Sequence, residues 1–170
     1  MDIIVLVSLP HKNAEGIIRA YERYCSKTDK PLKLRIIGIA DVAQYHLSQD
    51  VGNNIICYKY IESNEEMHHM IAAAKIFLFL SLVEGFGFPP IEAMQLGTPV
   101  VCSGVSSLPE VVGGAAILVD PCEPDEVAEA LVKLQNDENK QQELIVKGYH
   151  NVERFSWDKT ANKYADIVMK

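Results

Sequence analysis

The feature of this sequence that most constrains its fold is the alternation of short apolar runs with segments of helical periodicity. The runs at 3–7 and 76–80 are apolar at every position, which is typical of strands that helices cover on both faces. Strands that alternate with helices over short loops predict βαβ units, and therefore an α/β, doubly wound parallel sheet. The predicted strands are 3–7, 34–39, 54–58, 76–80, 99–102 and 115–119, and the predicted helices are 14–25, 64–74, 89–96, 125–134, 138–152 and 158–169.

The balance of charges argues against one large class of partners. Sixteen lysines and arginines stand against 23 aspartates and glutamates, which gives a formal net charge of −7. Nucleic-acid-binding proteins normally show a clustered basic excess, so we expect no nucleic-acid partner. A bound anion would need a local positive field, because the molecule as a whole repels it.

The cysteines and the lengths of the apolar runs indicate in which cellular compartment the protein is expected. The four cysteines form no CxxC pair, which argues against a zinc or redox motif and favours a reducing, cytoplasmic environment. The apolar start contains Asp2 and is short, so a buried first strand is favoured over a signal peptide. The longest other apolar run, 71–83, contains Lys75 and is too short to span a bilayer.

The segment 81–94 is the strongest candidate for a ligand site, because it follows a buried strand and begins a helix. That position is the carboxyl edge of a parallel sheet, where open α/β folds bind ligands. Gly85 and Gly87 allow the backbone to approach a ligand closely. Pro89 and Pro90 lack N–H donors, and one of them fits the first helical position. Free amides at the helix start favour an anion, which supplies the positive field that the net charge lacks.

Two glutamates, Glu84 and Glu92, flank this loop. A carboxylate accepts two hydrogen bonds side by side, which suits the neighbouring hydroxyls of a ribose or a hexose. Other interpretations remain open at this point. Glu92 could simply complement a helix N-terminus, Glu84 could be a solvated loop acid, and the glycines could serve a tight turn alone.

The run EGFGFPPIEAMQLGTPVVCSGVSSLPEVVGGAAILVDPCEPDEVAEAL, residues 84–131, resembles the signature half of the group 1 glycosyltransferases. Glu84 and Glu92 in this run are separated by seven residues, as in that family. A weaker similarity covers the whole chain: His11-Lys12-Asn13 resembles the basic turn after the first strand, and Phe155-Ser156-Trp157 the start of the closing helix. The resemblance implies a two-domain GT-B fold, of which 1–170 is the C-terminal, Rossmann-like half, and transfer with retention of anomeric configuration.

The resemblance also implies a role for individual residues. Glu92 matches the glutamate that holds the ribose hydroxyls of a nucleotide-diphosphate sugar, and Glu84 the one that contacts the transferred sugar. Lys12 matches the lysine that neutralises the diphosphate, although a solvated lysine beside a helix start is the alternative. The implied catalytic residues are Glu84 and Lys12, and the implied donor-binding residues are Glu92, Gly85, Phe86, Gly87, Phe88, His11, Tyr60 and Ile61, the last two against the base.

Neither a metal nor a cofactor is expected. Backbone amides, a lysine and a helix start can stabilise the charge that develops on a departing nucleoside diphosphate. No Asp-x-Asp pattern is present, and the adjacent His68 and His69 diverge on a helix and suit no shared ligand. A dehydrogenase is disfavoured as well, because residues 8–13 contain no glycine where a GxGxxG motif would lie.

Two departures from the family pattern limit what the chain is expected to do. Val7 stands where the family has a second cation, an arginine. We expect the acceptor-binding N-terminal domain, which holds the family's catalytic histidine, to lie outside 1–170, and 1–170 to be a single donor-binding domain. We therefore expect a hexosyltransferase that is inactive alone and needs a second domain or chain, with peripheral association at the inner membrane face through that half. A non-catalytic nucleotide-sugar-binding subunit is the alternative.

Overall fold

A computed structural model describes residues 2–7 and 9–169, which form a six-stranded sheet with helices on both faces. Every predicted strand and helix is present, with ends that differ by one to two residues. The elements are β1 (Asp2–Leu6), α1 (Ala14–Ser26), β2 (Lys33–Ile37), α2 (Gln49–Gly52), β3 (Ile55–Tyr58), α3 (Asn64–Ala72), β4 (Ile76–Phe79), α4 (Phe88–Gln95), β5 (Val100–Ser103), α5 (Leu108–Val112), β6 (Ala116–Val119), α6 (Pro124–Asn136), α7 (Glu138–Val152) and α8 (Trp157–Val168), with 3₁₀ turns at Pro10–Lys12 and Ala43–Tyr45.

The strand order is β3-β2-β1-β4-β5-β6, and every neighbouring pair is parallel. The chain builds outward from β1 to β3, then returns to the other side of β1 and builds outward again. The predicted doubly wound parallel sheet is confirmed. The direction of winding reverses between β1 and β4, and such a reversal leaves a crevice at the carboxyl ends of the two strands.

The core lies in two layers, one on each face of the sheet. Ile3 and Val5 pack with α1 and α6, while Ile4 and Phe77 pack with α4 and α5. All four side chains have no exposed surface. This two-sided burial explains why β1 and β4 are apolar at consecutive positions rather than alternating.

Four short elements were not predicted from the sequence: the 3₁₀ turns Pro10–Lys12 and Ala43–Tyr45, α2 and α5. Each is too short for a hydrophobic period to be read. The helix predicted to begin at Pro89 begins one residue earlier, at Phe88. Glu92 is therefore the fifth residue of α4, and the expectation that it lies in the first helical turn is wrong.

The last two helices differ in how they pack. Helix α7 contacts α4 so closely that a Cβ at Gly148 would lie 3.1 Å from Cγ of Met94. Helix α8 begins at the Ser156 cap and has no buried residue. Its large apolar side chains are exposed, and so is the Met169 that follows it: Trp157, Tyr164, Ile167, Val168 and Met169.

Across residues 2–7 and 9–169, no helix has both the length and the apolar character needed to cross a bilayer.

Asn13 connects the turn after β1 to the start of α1 and to Pro121, which follows β6. It adopts a left-handed conformation with φ of 60°, and its Oδ1 accepts a hydrogen bond from the Gly16 N–H at 3.1 Å. Its Nδ2 donates to the Pro121 carbonyl at 3.0 Å.

We predict that Asn13→Ala lowers the free energy of unfolding by about 1–3 kcal/mol, because it removes the helix cap and places alanine at a positive φ. Urea unfolding measures this. Asn13→Asp keeps the capping acceptor and loses only the donor to Pro121, so it should lose less stability. Equal midpoints for the alanine variant and the parent would contradict the assigned role.

Candidate functional site

The turn that contains Lys12 and the loop that contains Glu84 follow β1 and β4, the two strands at the reversal of winding. A main-chain hydrogen bond from the Leu82 N–H to the His11 carbonyl, 2.8 Å long, joins the two segments. The sequence placed these segments on different βαβ units. The sheet brings them to opposite sides of one crevice.

Lys12 and Glu84 form an ion pair across this crevice. The Lys12 Nζ lies 2.5 Å from Glu84 Oε1, and the two side chains are only 13% and 12% exposed. The same ammonium lies 4.5 Å from the centroid of the buried Phe79 ring, within cation–π distance. The interpretations of Lys12 as a solvated lysine and of Glu84 as a solvated loop acid are therefore wrong.

The surroundings of Glu84 keep its carboxyl group ionised. Burial alone acts to raise its pKa, but the hydrogen bond from Lys12, the nearby Ser81 hydroxyl and the charges of Lys12 and His11 outweigh that, so the pKa lies below its ordinary value. The paired carboxylate is therefore a hydrogen-bond acceptor at neutral pH.

Two serines after β5 hold the main chain of this loop. Ser106 Oγ accepts from the Glu84 N–H at 3.2 Å and donates to the Glu84 carbonyl at 2.7 Å. Ser107 Oγ lies 3.1 Å from the Glu84 carbonyl and 2.9 Å from the Phe86 carbonyl. Ser106 adopts a left-handed φ of 59°, a conformation unusual for serine. The two hydroxyls fix the backbone on which the Glu84 side chain sits.

The glycine loop, residues 85–88, is shaped by one glycine in particular. Gly87 has a φ of 101°, and a Cβ there would lie 2.5 Å from Leu108 Cδ2. Gly85 faces open space. The N–H groups of residues 85–88 make no hydrogen bond to any residue that the structure describes. They are available to an anion, while Pro89 and Pro90 have no N–H to offer.

Aromatic side chains support the same loop. The Phe86 and Phe88 ring centroids lie 4.7 Å apart, and Phe86 meets Phe155 edge to face at 5.4 Å. Phe88 is 53% exposed, so it offers an apolar surface beside the free amides. Phe155 precedes α8, so the glycine loop and the start of the last helix are packed together.

Glu92 is exposed on the second turn of α4. Helix-dipole interactions fade beyond the first turn, which weakens the interpretation that Glu92 merely complements the helix N-terminus. No hydrogen bond or ion pair to a described residue engages its carboxylate. Glu92 is therefore free to accept hydrogen bonds from a ligand.

Tyr60 and Ile61 lie farther away. They follow β3, the edge strand, which is separated from β1 by β2. Tyr60 is 75% exposed, while Ile61 is half-buried against the core layer of α4 and α5. Their contact with a base stays a prediction, as do the ligand roles of the other site residues.

Four residues of the site were given no role from the sequence: Ser81, Phe79, Ser106 and Ser107. All lie at or after the carboxyl ends of β4 and β5. That placement was the available signal, because residues at the same sheet edge meet. The register of the loops cannot be derived from the sequence, so their contacts with Glu84 and Lys12 could not be predicted.

A cavity of about 430 Å³ lies elsewhere, between α3 and the sheet. The arginine that lines it is already paired: Arg35 Nε donates to Asp2 Oδ2 at 2.5 Å, and its Nη1 to the Tyr58 hydroxyl at 3.0 Å. Glu65 and Glu66, which also line this cavity, are acidic, so it suits an anion less well than the crevice does. Among the described residues there is no group of three or more potential metal ligands.

Comparison with known proteins agrees with this geometry. The sequence profile described as "Glycosyl transferases group 1" matches residues 3–151. The chain is 32% identical over 163 residues to the O-antigen chain mannosyltransferase B of Escherichia coli, covering 91% of this chain and 43% of that protein. It is 40% identical over 112 residues to the MMP alpha-(1->4)-mannosyltransferase of Mycolicibacterium hassiacum, covering 64% of this chain and 27% of that protein. The chain thus spans less than half the length of these relatives.

Solved structures share the fold. The sucrose-phosphate synthase of Thermosynechococcus elongatus matches with a TM-score of 0.80 and 23% identity, over 99% of this chain and 45% of that one. WaaG, a glycosyltransferase involved in lipopolysaccharide biosynthesis, matches with a TM-score of 0.78 and 18% identity, over 98% and 46%. The fold, the site loops and the sequence match agree: this chain belongs to the group 1 glycosyltransferases and corresponds to the C-terminal, Rossmann-like portion of their GT-B fold.

Proposed function

We propose that this chain binds the nucleotide-diphosphate sugar of a retaining glycosyltransferase and supports transfer of the sugar to an acceptor held by another domain or chain. The observation that best supports this is the pairing of Lys12 and Glu84 at the winding reversal, beside four free amides. A cation and free donors suit a diphosphate. An ionised carboxylate suits sugar hydroxyls.

The leaving group is the part of the donor that the site is best suited to stabilise. Lys12, with His11 beside it, and the amides of residues 85–88 would face the diphosphate as its charge grows. These groups replace a metal in the proposed mechanism, and no cofactor takes part. Val7, buried and only 4% exposed, adds no cation where the family has an arginine.

The sugar and nucleoside parts of the donor would contact other residues. Glu84 would accept hydrogen bonds from sugar hydroxyls and Glu92 from the ribose, while Tyr60 and Ile61 would border the base. Several relatives are named mannosyltransferases. This supports a hexosyl donor, with a nucleoside diphosphate-mannose as the first to test.

The acceptor would be bound outside this chain. The relatives are more than twice as long as the part matched here, and the exposed apolar side chains of α8 offer a surface for the remaining half. We place the assembled enzyme in the cytoplasm, with peripheral contact to the inner membrane face through that other half. The missing cation at Val7 also favours a second candidate, a nucleotide-sugar-binding subunit without catalysis.

Glu92→Ala should weaken nucleoside diphosphate binding by about 10–100-fold, because a charge-assisted hydrogen bond to ribose contributes about 1.5–3 kcal/mol. Its free energy of unfolding should change by less than about 0.5 kcal/mol, since Glu92 is exposed. Calorimetry with UDP and GDP provides the affinity. Glu138→Ala, an exposed glutamate at the start of α7, is the control, and equal affinities for all three proteins would reject the role of Glu92.

Lys12→Ala should abolish measurable nucleoside diphosphate binding, because Lys12 is the cation that faces the crevice. It should also raise the pKa of Glu84, since the hydrogen bond and charge that lower it are gone. In the parent, affinity should fall as salt rises from 0.05 to about 0.5 M.

Lys27→Ala is the matched control for Lys12→Ala. It removes the same charge at the other end of α1, where Lys27 pairs with Asp125 and Glu129. A Lys12→Ala protein that binds UDP or GDP as tightly as the Lys27→Ala protein would refute the assignment.

The chain alone should release no nucleoside diphosphate from a sugar donor in the presence of an acceptor, because nothing holds the acceptor in line. Adding the acceptor-binding half, fused or as a separate chain, should restore release with EDTA present. Robust transfer by the chain alone would overturn the need for a second half. A strict requirement for a divalent ion would overturn the proposed role of Lys12 and the loop amides, and restored binding without turnover would favour the non-catalytic subunit.

A further inference from the structure

One buried side chain beside the site, that of Ser81, has no hydrogen-bond partner among the described residues. Ser81 lies between β4 and Glu84, has no exposed surface, and its Oγ makes no hydrogen bond to any described residue. Other buried hydroxyls are paired: Thr98 Oγ1 donates to the Ile71 carbonyl at 2.8 Å, and Ser103 Oγ to the Phe79 carbonyl at 3.4 Å. Burying a hydroxyl without a partner costs free energy, so an unpaired one needs an explanation.

The nearest charged groups indicate what Ser81 could bind. The Glu84 carboxylate is held by Lys12 at 2.5 Å, and His11 adds a further positive influence. The Ser81 hydroxyl is close enough to help lower the Glu84 pKa. Yet it forms no hydrogen bond of normal geometry while Lys12 occupies the carboxylate.

Binding of the nucleotide-diphosphate sugar would change the interactions of Lys12, Glu84 and Ser81. A diphosphate competes with Glu84 for the Lys12 ammonium, so the ion pair must lengthen or break when the donor enters. The Glu84 side chain is only 12% exposed. Water therefore cannot readily replace the Lys12 ammonium as its hydrogen-bond donor. The carboxylate then needs another hydrogen-bond donor, and Ser81 has the one buried hydroxyl in the described part of the chain that is unused.

We propose that Ser81 is a positioning residue, whose hydroxyl hydrogen-bonds the Glu84 carboxylate when Lys12 turns to the diphosphate of the bound donor. Ser81 then holds Glu84 ionised and oriented toward the sugar hydroxyls. This inference rests on the proposed donor binding and specifies how the site is rearranged by it. Because the diphosphate is what draws Lys12 away, this hydrogen bond is expected with a nucleoside diphosphate as well as with a sugar nucleotide.

The test compares Ser81→Ala with Ser103→Ala, a matched removal of a fully buried hydroxyl from the adjacent strand. Calorimetry is run with UDP and UDP-glucose, and with GDP and GDP-mannose. Ser81→Ala should weaken binding of the nucleoside diphosphate and of the sugar nucleotide by about tenfold each, the size expected for one hydrogen bond to a charged group. Ser103→Ala should leave both affinities within about twofold of the parent's.

A second readout follows the Glu84 carboxyl directly, by ¹³C NMR titration with saturating UDP or GDP. In Ser81→Ala the Glu84 pKa should lie about one pH unit higher than in the parent, because a donor to the ionised form is gone. Thermal midpoints without ligand should equal or slightly exceed the parent's, since no described residue hydrogen-bonds the hydroxyl in the free protein.

The outcomes separate the two proposals. A parent protein that binds none of the four nucleotides contradicts the proposed function itself. A parent that binds, with Ser81→Ala matching it in both affinities and in the Glu84 pKa, overturns the role of Ser81. A lowered thermal midpoint of unliganded Ser81→Ala shows that Ser81 supports the fold and also overturns the proposal.

Discussion

The site depends on one ion pair, between Lys12 and Glu84, placed where the winding of the sheet reverses. The two residues are 72 positions apart in the chain, yet their side chains meet at 2.5 Å because β1 and β4 are neighbours. With the exposure of both side chains reduced to about one-eighth, the pair interacts more strongly than a surface pair does. In the free protein it neutralises the crevice. A bound diphosphate must compete for the same ammonium.

The loops around this pair are held by polar contacts rather than by apolar packing alone. Asn13 fixes the turn after Lys12, and Ser106 and Ser107 fix the main chain at Glu84. Hydrogen bonds that hold the main chain in this way orient a functional side chain and leave the space for a ligand open. The same two hydroxyls bind the carbonyls of Glu84 and Phe86, while the N–H groups of residues 85–88 make no hydrogen bond to a described residue.

Much of the fold was predictable because burial on both faces produces a pattern that is visible in one dimension. The apolar strands and the amphipathic helices were predicted within one to two residues. The short α2 and α5 were missed, since a single helical turn shows no period. For the site, Glu84, Glu92 and the glycine loop were identified from their place after a strand. The contacts of Ser81 were not, because serines are common and nothing local distinguishes a buried one.

The sequence by itself determined the class of fold, the sheet edge at which a ligand would bind, and the family, because these depend on local patterns of hydrophobicity and on a motif. Only the tertiary structure decided that Lys12 is paired rather than solvated, that Glu92 lies beyond the first turn of α4, and that Ser81 is buried without a partner. The physical reason is that charge pairing and hydrogen bonding act over a few ångströms in space. Chain separation does not fix those distances until strand order and register bring the loops together.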